Sequence, residues 1–234
     1  MYHPREFEKA VLDQLGSKQN RILLIAGARQ TGKTTLIENV PEDVEKLVIN
    51  LWDETSETKA IREARTFEQF ERYLSVLYGF KPDARRLLVI DEAQASRHLG
   101  RFLMQMHREW KEQRVVLLGS ILSNLVLAGD PMPTGRVVEL TLRPLGFIEF
   151  LRFGGKEQLL ELVDPDPDAH VDESAHEILM DEYSRYMTVG GLPGIVNAFL
   201  DGEDFGVLME SLMSNYYRDA DRYITQQTGR VVQY

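Results

Sequence analysis

A glycine-rich segment near the N-terminus carries the residue types that bind phosphate. It reads Gly-Ala-Arg-Gln-Thr-Gly-Lys-Thr from Gly27 to Thr34 and matches the pattern G-x-x-x-x-G-K-[ST] in full. Glycines let backbone amides approach phosphate oxygens, a lysine neutralises the β and γ phosphates, and a hydroxyl is a ligand for Mg²⁺. The pattern therefore predicts a nucleoside triphosphate site, with Lys33 on the phosphates and Thr34 on the metal.

The sequence on either side of this segment supports that interpretation. The apolar run Ile22–Ala26 precedes it, and residues 34–40 can open a helix whose N-terminus adds a positive dipole end. A chance glycine turn beside a surface lysine is the alternative, but it does not explain this order of strand, loop and helix. The residues that we expect to contact the nucleotide are Gly27, Ala28, Arg29, Gln30, Thr31, Gly32, Lys33, Thr34 and Thr35.

Two adjacent acids follow another apolar run, Leu87–Ile90. Carboxylates at the carboxyl end of a buried strand lie where ligand sites of α/β proteins occur. We expect Asp91 to hold Mg²⁺, directly or through water, and Glu92 to act as the general base that orients or deprotonates the attacking water. The alternative is that the acids cap a following helix.

Polar side chains elsewhere are candidates for contact with the γ-phosphate. Ser120 follows the apolar run Val115–Leu118, and we expect that run to lie beside the strand that precedes the phosphate loop. Ser120 is therefore the first candidate and Asn124 the second. Ser120 is equally well explained as the N-cap of a following helix.

An arginine would stabilise the charge that develops on the γ-phosphate. Arg136 and Arg143 flank the fifth apolar run, at its entrance and its exit. Either could reach phosphate in its own site or in that of a neighbouring molecule, and we assign the catalytic role to Arg136. The alternative is that both side chains are simply solvated.

The elements that must position these residues follow from the hydrophobic pattern. Short apolar runs alternate with helical stripes over 67–78 and 99–110, which predicts a three-layer α/β sandwich with a parallel sheet of about five strands. The runs are Ile22–Ala26, Lys46–Leu51, Leu87–Ile90, Val115–Leu118 and Arg136–Leu142.

The pattern changes after Pro144, where helical stripes continue without a convincing strand. We therefore expect two domains: 1–150, which carries the phosphate site, and 151–234, a small helical, lid-like domain. Gly190–Gly194 interrupts the helices of the second domain and could be a hinge or a simple helix break.

Composition limits the classes of function. The chain has 234 residues and no cysteine, which excludes thiol chemistry and cysteine metal sites. The net charge of −10 is concentrated in residues 156–182, which hold ten acids and one lysine, so the charge does not exclude a polyanionic partner. No apolar run is long enough to span a bilayer, and we expect a cytoplasmic protein. The guanine-reading pattern Asn-Lys-x-Asp is absent, which favours ATP over GTP.

These motifs together resemble a prokaryotic AAA-type P-loop ATPase family. The resemblance runs in patches from Ile22 to Asp219 and includes Ile-Asp-Glu-Ala-Gln, Leu-Gly-Ser, Pro-Leu-Gly-Phe-Ile-Glu-Phe and Gly-Gly-Leu-Pro-Gly. It implies Lys33 and Thr34 as Walker A residues, Asp91 and Glu92 as Walker B residues, and Ser120 as the sensor. Ile121 and Leu122 depart from the small polar residues usual in the family.

In this family a winged-helix segment and a nuclease-like domain usually follow the ATPase core, so we expect the helical domain to be incomplete here. The leading hypothesis is Mg²⁺-dependent ATP hydrolysis that moves the helical domain. The alternatives are a slow nucleotide-gated switch that binds a protein partner or a second copy, and an ATPase linked to nucleic acid. A basic helix face between His98 and Arg114 suits nucleic acid, although interleaved acids favour a solvated surface.

Overall fold

The computed structural model divides the chain into two compact units, Met1–Arg143 and Pro144–Tyr234. The boundary lies between Arg143 and Pro144, whereas the sequence suggested residue 150. The residues that the structure describes are 3–17, 22–39, 43–82, 86–120, 135–163 and 173–228.

The first unit is built on a parallel sheet of five strands, as the sequence predicted. Each strand begins and ends within about one residue of its apolar run, since buried strands of parallel sheets are continuously apolar. The spatial order is β2-β3-β4-β1-β5, and every neighbouring pair is parallel. The strands are β1 (Ile22–Ala26), β2 (Lys46–Asn50), β3 (Leu87–Asp91), β4 (Val115–Gly119) and β5 (Val137–Thr141).

Helices cover both faces of this sheet. On one face, Leu36 and Ile37 pack with Val11 and the strand residues Leu23 and Ile25. The other face has a separate core, which contains Phe70, Phe102 and Trp110. The helices among the described residues of this unit are α1 (Phe7–Gly16), α2 (Lys33–Asn39), α3 (Ser56–Glu63), α4 (Phe67–Tyr78) and α5 (Leu99–Glu109).

The aromatic core between α4 and α5 fixes the helices that follow β2 and β3. Trp110 is only 1% exposed, and its ring centroid lies 5.3 Å from that of Phe67 and 5.1 Å from that of Phe80. Its indole nitrogen donates a hydrogen bond of 2.7 Å to Glu71 Oε1, so the polar end of the ring is satisfied.

The described residues of the second unit form helices joined by short turns and include no strand. Its core contains Leu145, Phe150, Val189, Ile195 and Val196. The helices are α6 (Phe147–Phe153), α7 (Glu173–Val189), α8 (Pro193–Leu200) and α9 (Phe205–Thr228), and a short 3-10 segment spans Glu157–Leu162.

Two glycines separate α7 from α8. Gly190 has a φ of 77°, which favours glycine, and its amide donates to Tyr186 O at the helix end. A Cβ on Gly191 would lie 2.2 Å from Leu145 O, and Leu145 N donates to Gly191 O at 2.7 Å. Gly191 is therefore required by the close approach of the chain before α6, which accounts for the break in the helical pattern.

Within the ranges given above, no helix combines the length and the apolar character of a membrane span.

Candidate functional site

The phosphate loop joins the carboxyl end of β1 to the first turn of α2. It needs glycine at two positions. A Cβ on Gly27 would lie 2.5 Å from Leu142 O, and Gly32 has a φ of 88°. Gln30 also adopts a left-handed backbone, with a φ of 60°. Inside the loop, Thr31 Oγ1 donates to Ala28 O at 2.9 Å.

Lys33 is folded inward over this loop. Its side chain is buried, and Nζ donates to Gly27 O at 2.9 Å and to Ala28 O at 2.8 Å. Burial lowers the pKa of Lys33 from its ordinary value, while the nearby carboxylates of Glu92 and Asp91 act in the opposite direction. A desolvated ammonium that is held by carbonyl oxygens is suited to exchange those contacts for phosphate oxygens.

Thr34 and Asp91 connect the loop to β3 through a hydrogen bond between their side chains. Thr34 Oγ1 donates to Asp91 Oδ2 at 2.6 Å, and the amide of Glu92 donates to Asp91 Oδ1 at 2.8 Å. Asp91 is only 4% exposed. Asp91 is the last residue of β3, and these two hydrogen bonds hold its carboxylate within the site.

Glu92 lies just beyond the strand and turns the chain. Its backbone is left-handed, with φ 51° and ψ 42°, and the short 3-10 turn Ala93–Ala95 follows. The side chain is half-buried, and this burial raises the pKa of Glu92 while a hydrogen bond from Gln94 opposes the shift. A carboxylate with a raised pKa beside the phosphate loop has the character of a general base.

The strand order explains why these groups converge. β1 lies next to β4, with Ala26 beside Gly119, and β3 lies on the other side of β4. The phosphate loop, the acids at the end of β3 and Ser120 after β4 therefore lie together at the carboxyl ends of the strands. Ser120 Oγ lies 3.4 Å from Gln94 Nε2.

Sequence reasoning missed Arg5, which precedes α1. Its guanidinium donates to Thr31 O at 3.1 Å and to Arg143 O at 2.9 Å, and the residue is 8% exposed. It thus joins the phosphate loop to the segment after β5. No motif marks an arginine that acts over 138 positions of sequence, so only the fold could reveal it.

A second missed contact joins the loop to the segment after β2. The guanidinium of Arg29 lies 4.2 Å from the centroid of the Trp52 ring, in cation–π geometry. Trp52 follows β2 and is 39% exposed.

Arg136 does not join this site within one chain. Arg136 O accepts from Ile22 N at the amino end of β1, and its guanidinium contacts Met104 Sδ. The phosphate loop follows the carboxyl end of β1, so the full length of a strand separates them. Arg136 helps line a groove of about 430 Å³, together with Met104, His107, Arg108 and Lys111.

The other candidate positions have different outcomes. Arg143 lies at the carboxyl end of β5, on the side of the sheet that carries the phosphate loop, and its carbonyl receives the bond from Arg5. Asn124, Ile121 and Leu122 lie outside the described residues.

A sequence model described as an AAA domain matches residues 19–151, more than half of the chain. The chain belongs to the AAA domain family. This confirms the resemblance to a prokaryotic AAA-type P-loop ATPase family, and the geometry described above is that of a nucleotide-binding P-loop fold. No curated protein matches the sequence.

Solved structures share this fold. A Walker-type ATPase of Pyrococcus abyssi superposes with a TM-score of 0.57 and 16% identity, over 98% of this chain and 77% of that one. A signal transduction ATPase with numerous domains from Pyrococcus horikoshii, which has a tetratricopeptide repeat sensor, gives a TM-score of 0.54 and 15% identity. The match covers 90% of this chain but only 32% of the length of the signal transduction ATPase.

Proposed function

We propose that this AAA domain binds ATP with Mg²⁺ and hydrolyses its terminal phosphoanhydride bond. The observation that carries the proposal is the bond from Thr34 Oγ1 to Asp91 Oδ2 beside the inward-folded Lys33. A hydroxyl, a buried carboxylate and an ammonium thus lie together at the end of one loop. These are the groups that a β,γ-phosphate pair and its metal ion require.

The donor set at Thr34 and Asp91 fits Mg²⁺, because the ion takes hard oxygen ligands and usually binds through one or two protein groups. In the described residues no group of three or more acidic or histidine side chains could hold a metal alone. This agrees with a site that substrate oxygens and water complete. When bound, Mg²⁺ supplies charge neutralisation at the phosphates, and Thr34 and Asp91 are the residues that would hold it.

In the proposed reaction, Glu92 accepts a proton from water as the water oxygen attacks the γ-phosphorus. The bond between the γ-phosphorus and the β,γ-bridging oxygen breaks, and ADP leaves with the electron pair of that bond. Lys33 stabilises the negative charge on the phosphate oxygens. Ser120 follows the strand beside the phosphate loop, and we infer that it forms a hydrogen bond near the γ-phosphate.

The competing function is a slow nucleotide-gated switch with the same pocket. Single-turnover hydrolysis by the wild-type protein and by Glu92→Gln separates the two. As a general base, Glu92 should contribute about 100-fold or more to the rate. Equal, slow decay of ATP in both proteins would favour the switch.

We further propose that the nucleotide state changes the helical unit, and that the output is an interaction with a protein partner or a second copy. The support is fold similarity to the signal transduction ATPase with its tetratricopeptide repeat sensor. Arg136 would then act in trans, because its own phosphate loop is out of reach. Mixing Arg136→Ala with Lys33→Ala tests this. If Arg136 of one chain completes the site of another, the ATPase activity of the mixture should depend on the ratio of the two proteins.

An ATPase linked to nucleic acid is the remaining candidate. The groove at Arg136 favours it, because His107, Arg108 and Lys111 converge there. Stimulation of turnover by DNA or RNA, lost as salt is raised, would support this function.

A further inference from the structure

Gln94 lies between two residues of the candidate site. Its Nε2 donates to Glu92 Oε2 at 2.5 Å and lies 3.4 Å from Ser120 Oγ. The left-handed backbone of Glu92 and the 3-10 turn after it bring the Gln94 side chain back over Glu92. The amide therefore spans the gap between the ends of β3 and β4.

Simple chemistry fixes which way this amide points. A carboxylate can only accept hydrogen bonds, so the nitrogen of Gln94, and not its oxygen, must face Glu92. Oε1 then points away from Glu92. This oxygen is buried and has no hydrogen-bond partner among the described residues. A buried acceptor without a donor is unfavourable and calls for an explanation.

We propose that Gln94 is a positioning residue whose amide nitrogen holds the Glu92 carboxylate while Oε1 accepts a hydrogen bond from the attacking water. The inference rests on the ATP hydrolysis proposed above. Water has two hydrogens: one passes to Glu92, and the other needs an acceptor that keeps the oxygen aimed at phosphorus. Gln94 gains and loses no proton in this step, so the balance of the reaction is unchanged.

The chain offers a control in Gln113, which precedes β4 at the amino ends of the strands, opposite to the candidate site. Its Nε2 donates to Arg86 O and Arg114 O, both at 2.7 Å, and its Oε1 is also buried without a partner. Gln113 is more deeply buried than Gln94, but both have an amide nitrogen that donates and a buried Oε1 without a partner, and Gln113 lies far from Glu92. A purely structural glutamine should behave as Gln113 does.

The test compares Gln94→Leu with Gln113→Leu, a substitution that nearly preserves shape. For Gln94→Leu we expect the affinity for Mg²⁺ and a non-hydrolysable ATP analogue to change by less than about twofold, and the single-turnover rate to fall about tenfold to hundredfold. Gln113→Leu should lower the melting temperature and keep the wild-type rate. Gln94→Glu retains an acceptor but loses the donor to Glu92, so it should be as slow as Gln94→Leu.

A second readout does not depend on activity. In the ¹⁵N-labelled protein, the side-chain amide signal of Gln94 is the one that Gln94→Leu removes. We expect this signal to shift upfield in Glu92→Leu, because the carboxylate acceptor is gone. An unchanged Gln94 signal in Glu92→Leu would overturn the contact itself.

The outcomes separate this inference from the proposed function. If Glu92→Gln hydrolyses ATP as fast as the wild-type protein, the proposed function fails. If Glu92→Gln is slow but Gln94→Leu keeps the full rate, only the role of Gln94 is overturned. A loss of analogue affinity in Gln94→Leu that equals the loss of rate would also overturn it, since the residue would then merely support the fold of the site.

Discussion

At the scale of single residues, the candidate site depends on side chains and backbone carbonyls held within hydrogen-bond distance before any ligand is bound. Lys33 already contacts the loop that would receive the phosphates, and Thr34 already contacts Asp91. Such preorganisation lowers the cost of ordering these groups when nucleotide binds.

Gly27 offers the clearest prediction at this scale. In Gly27→Ala the new methyl would meet the carbonyl of Leu142, at 2.5 Å, and this backbone atom cannot rotate away. We expect a loss of about 1–3 kcal/mol in the free energy of unfolding, measured by urea denaturation. Gly16→Ala is the control, because nothing lies within 4 Å of its Cβ position. Equal stability of the two variants would show that the loop does not approach Leu142 so closely.

At the scale of elements, much of the molecule was predictable from sequence. Continuous apolar runs predicted all five strands, because strands of a parallel sheet are buried and strongly apolar. The runs at β2 and β5 are only partly buried, since these strands lie at the edges of the sheet. Whether a strand lies at the edge or in the centre of the sheet depends on the strand order, and hydropathy alone does not specify that order.

Other elements could not be predicted for physical reasons. Helix α3 carries mostly polar residues, and of its side chains only Thr58 and Ile61 are buried. It is fixed instead by a capping box at Thr55. Two adjacent acids after an apolar run indicated Asp91 and Glu92 from the sequence. Arg5 is brought to the phosphate loop only by the fold. The position of Arg136 was predictable, because the entrance of β5 in a parallel sheet lies at the end opposite to the phosphate loop.

The segment before α1 yields a prediction about elements. Arg5 ties the phosphate loop to the end of β5, so Arg5→Ala leaves two carbonyls without their donor. We expect a loss of about 1–3 kcal/mol in stability together with weaker binding of an ATP analogue. Thermal denaturation and equilibrium titration measure the two effects.

The matched control is Lys9→Ala, which removes an exposed cation from α1. It should change neither quantity appreciably. Wild-type analogue affinity in Arg5→Ala would mean that the loop keeps its conformation without this support.

At the scale of the whole molecule, the two units divide the work that we propose. Every described contact of the phosphate loop named above lies within Met1–Arg143. In our proposal, ATP binds and is hydrolysed in the first unit, and the change of nucleotide state acts on the helical unit.

This division predicts that a fragment of residues 1–143 still binds nucleotide. A saturating ATP analogue with Mg²⁺, at about 100 times its dissociation constant, should stabilise the fragment by about 2.7 kcal/mol. The same fragment with Lys33→Ala is the control and should show no such increase in melting temperature. A fragment that is folded by circular dichroism yet insensitive to the analogue would show that the second unit is needed for binding.

The central claim is that the loop from Gly27 to Thr34 binds the triphosphate of a nucleotide. The most direct measurement is calorimetric titration of the full chain with a non-hydrolysable ATP analogue, with and without Mg²⁺, for the wild-type protein and Lys33→Ala. We predict one site per chain, tighter binding with Mg²⁺, and loss of detectable binding in Lys33→Ala. Undiminished affinity in Lys33→Ala would contradict the account.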